Sequence, residues 1–338
     1  MFLPIVMLQK YGWPGFFLFA IPNVIGCTAF GYVVRTPERS KALVEKYGTA
    51  MAIFAIVTIA FHAFFVAMIV QMQHTDSGAM TIIGIAMGLL IVGGLLATLH
   101  TRFWPIVAVG LWIFSAIVGI TLLPFEAAIE GTRPWQDVIW FMPITTLGFL
   151  LCPYLDPTFH RAIQETPSKH SFAVFGITFA CLIAMTCLYY DDLQRNRTIL
   201  LTMYLGAQTV FTVGVHFKEG CRIASKFKKL FVVLAIIAST VAIGIAIRPH
   251  GDDGLVKDYL RFFAFYGFVF PGLVAIFMLT KQSFTPKRLA LFSLVTLLSL
   301  PLLEAGYIGE SPWFTILPVV VLLTWVFTNR RHNCCTNE

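Results

Sequence analysis

His62 is the one histidine that falls in the middle of a long apolar run, in the stretch TIAFHAFF. An imidazole at that depth can donate a hydrogen bond into a cavity or relay a proton, and polar groups at mid-membrane usually face a bundle interior. The plainer alternative is a neutral ring bonded to a neighbouring helix backbone. Thr145, Thr146 and Tyr154 gather around Pro143, Gly148 and Pro153. They would line a binding pocket if the prolines interrupt their helix, or bond back to carbonyls that the prolines leave free. Gln208 sits in an unusually polar span with Thr198, Thr202, Thr209 and Thr212. It is a solute ligand or a hydrogen-bonding contact between helices. Asp156 and Arg161, five residues apart with His160 between them, suggest a gate ion pair. The alternative is a solvated interfacial cluster.

Other chemistry is not expected. There is no phosphate-binding glycine loop, no H-E-x-x-H and no G-x-S-x-G. A single mid-span histidine is too little for a membrane enzyme, so no catalytic activity is expected. The seven cysteines show no zinc-type spacing and no disulfide pattern. Cys334 and Cys335 are lipidation candidates or two plain thiols near the end of the chain.

The elements that must position these residues are long and apolar. Only 12% of the residues are charged and 14% are aromatic, with a mean hydropathy of +0.80. A soluble domain carries about 25% charged residues. Eleven apolar runs are read, at 13–35, 48–73, 78–98, 103–124, 136–155, 171–190, 197–216, 228–248, 257–280, 287–303 and 311–328. A helix needs roughly 20 apolar residues to cross the hydrocarbon layer, and unpaired backbone is not tolerated there. The reading is an all-α polytopic membrane protein with one membrane domain over 1–329 and a short tail over 330–338.

The net charge of +7 could suggest nucleic acid, but the cations sort by loop. Seventeen Lys and Arg fall in alternate connections and the tail, and seven in the others. The positive-inside rule puts the richer side in the cytoplasm, the amino terminus outside and the carboxyl terminus inside. No nucleic-acid partner is expected; membrane lipid is, and the basic stretch HFKEGCRIASKFKK could dock anionic lipid. Glu304 and Glu310 bracket an external turn. Residues 1–9 are too short and too proline-interrupted to span, and read like the last turns of a helix.

LGFLLCPY, from Leu147 to Tyr154, resembles the sixth core helix of the sodium/solute symporter family, of the leucine-transporter fold and APC superfamily. That helix carries a glycine, four residues, then Pro-His. Gly148 and Pro153 keep the spacing, Tyr154 stands in place of the histidine, and Arg161 lies three positions later than the family's arginine. MLQKYGWPGFFLFAIPNVIG is similar to the junction of that family's first and second core helices. The resemblance makes run 13–35 the second core helix, so the first would be missing. It implies two inverted five-helix repeats and secondary transport of a small solute at the midplane of 48–73, 136–155 and 197–216. The implied substrate residues are His62, Thr145, Thr146, Tyr154 and Gln208. A coupling sodium ion would meet Thr209 and Thr212. No other cofactor or metal is implied. The helix over 136–155 should be broken between Thr145 and Pro153. It should pack on His62 and Thr209 around an open groove shared with 13–35 and 197–216. The alternative function is a transport-incompetent relative acting as a membrane sensor or interaction subunit.

Overall fold

The computed structural model describes residues 2–73, 78–121, 131–166, 168, 170–195, 199–251, 254–309 and 311–335. Thr198, Glu310 and Lys169 lie outside these. Among the described residues there is no strand, and each of the eleven apolar runs falls on helix. Eight helices are long and apolar enough to cross a membrane, and two further apolar helices, Ser171–Cys187 and Pro312–Thr328, are shorter. The protein is an all-α, membrane-embedded chain.

The helices are α1 (Leu3–Val34), α2 (Pro37–Gln73), α3 (Ala79–Ala97), α4 (Trp104–Thr121), α5 (Val138–Leu151), α6 (Pro157–Glu165), α7 (Ser171–Arg195), α8 (Ile199–Ile223) and α9 (Lys228–Ile247). Then come α10 (Gly254–Ala264), α11 (Phe270–Leu273), α12 (Pro286–Tyr307) and α13 (Ile316–Cys335). α2 is the hub. Almost three quarters (72%) of its most apolar stretch is buried, against 17% for α3 and α4, and it packs on α8, α9, α6 and α3. The outer helices turn large apolar side chains outward, among them Met80, Leu95, Ile106, Ile120 and Leu298. A surface this apolar needs a lipid-like solvent.

α1 is two helices joined at Gly12, whose φ of 64° and ψ of −153° leave helical geometry. Only glycine reaches that region without strain, and Pro14 then restarts the helix in its first turn. The piece over 3–11 is mostly buried, with Gln9 exposed. Leu3, Val6 and Leu8 pack with Phe64 and Phe65 of α2 and Leu260 of α10.

α10 and α11 form one long element over 254–278 with a widened turn on each side of Pro271. Phe270 N–H bonds the Phe265 carbonyl, and Leu279 N–H bonds the Val274 carbonyl at 2.9 Å, both five residues back. Proline removes a donor, and π-turns of this kind let the ladder continue past it.

α5 differs from expectation. It runs unbroken from Val138 to Leu151 through Pro143. The interruption falls only at the far end of the expected interval, at the tight turn Cys152–Tyr154, and again at Asp156, where α6 begins. Its main neighbours are α1, the turn over 265–269, α13 and the turn over 312–315; α2 and α8 are not among them. The groove expected between runs 13–35, 136–155 and 197–216 does not form: α1 and α5 touch, and α8 is a main neighbour of neither. A Cβ built on Gly26 would lie 2.1 Å from the Phe149 carbonyl oxygen. On its other side, a Cβ on Gly148 would lie 2.7 Å from the Tyr266 carbonyl oxygen. Small residues let membrane helices approach this closely.

The contacts among the described connections join segments that the cations place on the same face. On one face Ser40 meets His160, Lys46 meets the Lys281 carbonyl and Lys218 meets the Leu99 carbonyl. On the other, Thr132 and Arg133 N–H bond the carbonyls of Gln9 and Lys10, and Arg261 pairs with Glu304.

Candidate functional site

Three polar sites emerge at different depths. The first is at the centre of the bundle, on Tyr266. The widened turn after Ala264 brings its side chain to α2, where its hydroxyl meets Thr58 Oγ1 at 3.0 Å. Its carbonyl accepts from the Cys152 thiol at 3.2 Å, and its ring packs on Phe54, Phe61 and Phe270. His62 lies one turn along α2 and is half-buried. Its Nδ1 donates to the Thr58 carbonyl at 2.8 Å, which leaves Nε2 as the acceptor of the neutral ring. The partner is its own helix backbone, four residues back.

The second site is a small cavity of about 30 Å³ between the 3–11 piece, α5, α10 and α12. It is lined by Lys10, Tyr11, Phe141, Thr145 and Tyr307, among others. That is room for one or two waters. Thr145 is buried, and the buried Tyr307 hydroxyl has no hydrogen-bond partner in the protein. The orphaned hydroxyl gives this small cavity unspent polarity beside Thr145 and Lys10.

The third site is a polar cluster on the cation-rich face. Asp156 caps α6, accepting from Thr158 N–H at 2.8 Å and Thr158 Oγ1 at 2.6 Å. Its other oxygen lies 3.9 Å from Nε2 of buried His216. Arg161 pairs with Glu165 and approaches Glu219 at 3.7 Å, and Arg222 reaches Glu219 at 2.6 Å. His160 is fully buried. Its Nε2 donates to the Tyr154 carbonyl at 2.9 Å, and Nδ1 accepts from Ser40 Oγ at 3.0 Å. Gln164 Nε2 donates to the same Ser40 oxygen at 2.9 Å. This triad fastens α6 to the start of α2.

Burial pushes the His160 pKa down, against the Tyr154 carbonyl and Asp156, which favour the cation; Arg222 adds to the fall. The folded protein therefore takes up this proton less readily than the unfolded chain, whose histidine titrates near ~6.5. Stability from this group is complete above that pH and is lost as pH falls below it. Melting scans at pH 7.5 and 5.5 should show wild type losing more than His160→Gln. An equal loss in both would remove His160 as the cause.

The expected site residues are not brought together. Thr145 lines the small cavity. Thr146 is half-buried on α5. Tyr154 lies at the cation-rich end, its ring 5.5 Å from Phe30. His62 bonds back to its own helix at Thr58, and Gln208 lines a groove between α4, α7 and α8. Thr209 is buried and Thr212 half-buried on α8. Asp156 and Arg161 do not pair; each has the partners given above. Sequence reasoning missed Tyr266, Tyr307, Ser40, Gln164, His216 and Glu219. Asp156-Pro157 was legible as an N-cap followed by proline at the first helical position. His216 and Glu219, three apart, were legible as one helix face.

No protein-family model, no curated protein and no solved structure matches the chain.

Proposed function

We propose that this chain is a small-solute carrier built from two inverted repeats, with its substrate region at the cavity of Lys10, Thr145 and Tyr307. The observation that carries the reading is a repeated packing pattern. α2 packs on α9 as α8 packs on α3, and α2 meets α3 as α8 meets α9. α8 packs on α4 as α2 does on α10, while α1–α7 and α2–α8 map onto themselves. One operation relating α1–α4 to α7–α10 accounts for every one of these pairs. If α1 to α5 each cross, α1 and α7 run in opposite senses, which makes the repeats inverted. Inverted repeats with a discontinuous helix at the centre are the architecture of many secondary transporters. The break at Gly12 supplies a discontinuous helix, though toward the face where Thr132 and Arg133 bond the carbonyls of Gln9 and Lys10. Eleven spans, a plasma-membrane location and a cytoplasmic cation-rich face complete the reading. Thr209 and Thr212 remain its candidate sodium ligands.

Reconstituted into vesicles, the protein should accumulate a radiolabelled small solute from a mixed panel, faster under an inward sodium gradient. The small size of the cavity favours a second reading, a sensor or interaction subunit that does not transport. No uptake across the panel, together with a melting temperature indifferent to sodium, would select it. A reporter joined after Arg331 should read cytoplasmic; an external signal would reverse the orientation.

A further inference from the structure

A trough runs down the outward side of α4, α7 and α8. Its mouth is on the cation-rich face, a groove of about 290 Å³ bordered by Trp104, Arg161, Glu165, Lys218 and Glu219. The mouth lies between α4, α6 and α8; Ala108 and Phe211 line both it and a second groove of about 530 Å³ deeper between α4, α7 and α8. The deeper part is walled mainly by apolar residues such as Leu111, Trp112, Phe179 and Leu182, with Ser115, Thr178, Tyr204 and Gln208 as polar exceptions. From Thr101 to Ser115 the α4 wall rises about 21 Å at 1.5 Å per residue, enough to follow one leaflet of about 15 Å. Polar mouth and apolar length fit a two-part amphiphile.

Charge at the mouth selects its headgroup. Arg161 and Lys218 stand beside Glu165 and Glu219, so the rim holds two cations and two carboxylates. A net-anionic headgroup would meet both carboxylates. A zwitterion can set its phosphate against Lys218 and Arg161 and its own cation against Glu165, whose side chain is 48% exposed. Two donors at the groove, Trp104 Nε1 and Arg161 Nε, are buried without hydrogen-bond partners. Phosphate oxygens accept from such donors. A primary ammonium can donate to Glu165, whereas a trimethylated one cannot.

We propose that this trough is a binding site for phosphatidylethanolamine, phosphate at Lys218 and Arg161, ammonium at Glu165, and one acyl chain along α4 and α8. The site is independent of the transport reading and needs only that the chain be membrane-embedded.

The test is native mass spectrometry of the full, delipidated chain, titrated with phosphatidylethanolamine, phosphatidylglycerol and phosphatidylcholine of identical acyl chains. Phosphatidylethanolamine should bind about tenfold more tightly than the other two, one charge-assisted hydrogen bond's worth. Glu165→Gln should erase its preference over phosphatidylcholine. Ala108→Trp, which fills the neck between the grooves, should weaken it about tenfold at an unchanged melting temperature. Tighter binding of phosphatidylglycerol would make the site anionic and overturn the proposal. Equal binding of all three, or Glu165→Gln without effect, would reduce it to general lipid adhesion. The Glu165→Gln arm decides the matter if Ala108→Trp fails to fold.

Discussion

Gly26→Ala should lower stability by about 3 kcal/mol, at the top of the range for overpacking, and Gly26→Leu should leave almost no folded protein. The added Cβ would stand 2.1 Å from the Phe149 carbonyl oxygen and 2.8 Å from its carbon. These are backbone atoms of α5, so no side chain can swing away. α5 is in turn held by Gly148 against the Tyr266 carbonyl, and retreat in that direction is blocked. Gly88→Ala is the internal control. Its Cβ meets nothing within 4 Å, and alanine is the better helix former by roughly 0.5–1 kcal/mol. Melting followed by size-exclusion chromatography in detergent reads both. A Gly26→Ala protein that melts like wild type would mean that α1 and α5 do not touch.

The second large effect belongs to Asp258. Its side chain is 3% exposed. Arg248 Nη2 grips both of its oxygens at 2.8 and 2.7 Å, His250 Nε2 reaches it at 2.9 Å and Arg261 Nη1 at 2.6 Å. Its partners Arg248 and Arg261 are half-exposed, so the loss is that of the carboxylate's charged hydrogen bonds, about 1.5–3 kcal/mol. Asp258→Ala should fall in that range by thermal or urea unfolding. Glu304→Gln touches the same network through Arg261, but Glu304 is 48% exposed and the expected loss is about 0–1 kcal/mol. Equal losses in the two variants would show that burial does not set the difference.

Most of the fold was legible because composition leaves few choices: a chain this apolar must form helices. Cation placement alone grouped the connections by face, and contacts such as Ser40–His160 join segments that it places together. The 136–155 element was misread because prolines were counted without their positions in the helix. Pro143 is the sixth residue of α5, where its ring costs one bond, to the Ile139 carbonyl. Pro153 falls beyond the helix, in a turn that needs no donor from it. The candidate site was the least legible part. Thr145 was found as a buried hydroxyl in an apolar span. Tyr307 and Tyr266 were not, since nothing local separates a tyrosine that lines a cavity from one that packs. Thr58 and Cys152, the hydrogen-bond partners of Tyr266, lie more than a hundred positions away, and one sequence carries no signal for such pairs.

The widened turns around Pro271 have a consequence for phase. Each adds one residue to a turn, and each residue advances a helix by about 100°. The first addition rotates the residues after it by roughly 100° relative to an uninterrupted helix. Before the first, Tyr259, Leu260 and Phe263 join the core of α2 and the 3–11 piece. From Phe268 onward, the same element feeds a different core with Phe292, Leu303 and Leu322 of α12 and α13. A plain α-helix with this sequence would turn one of these aromatic stripes to lipid. The extra residues act as a crank, so one span closes two chambers that lie on different sides of it.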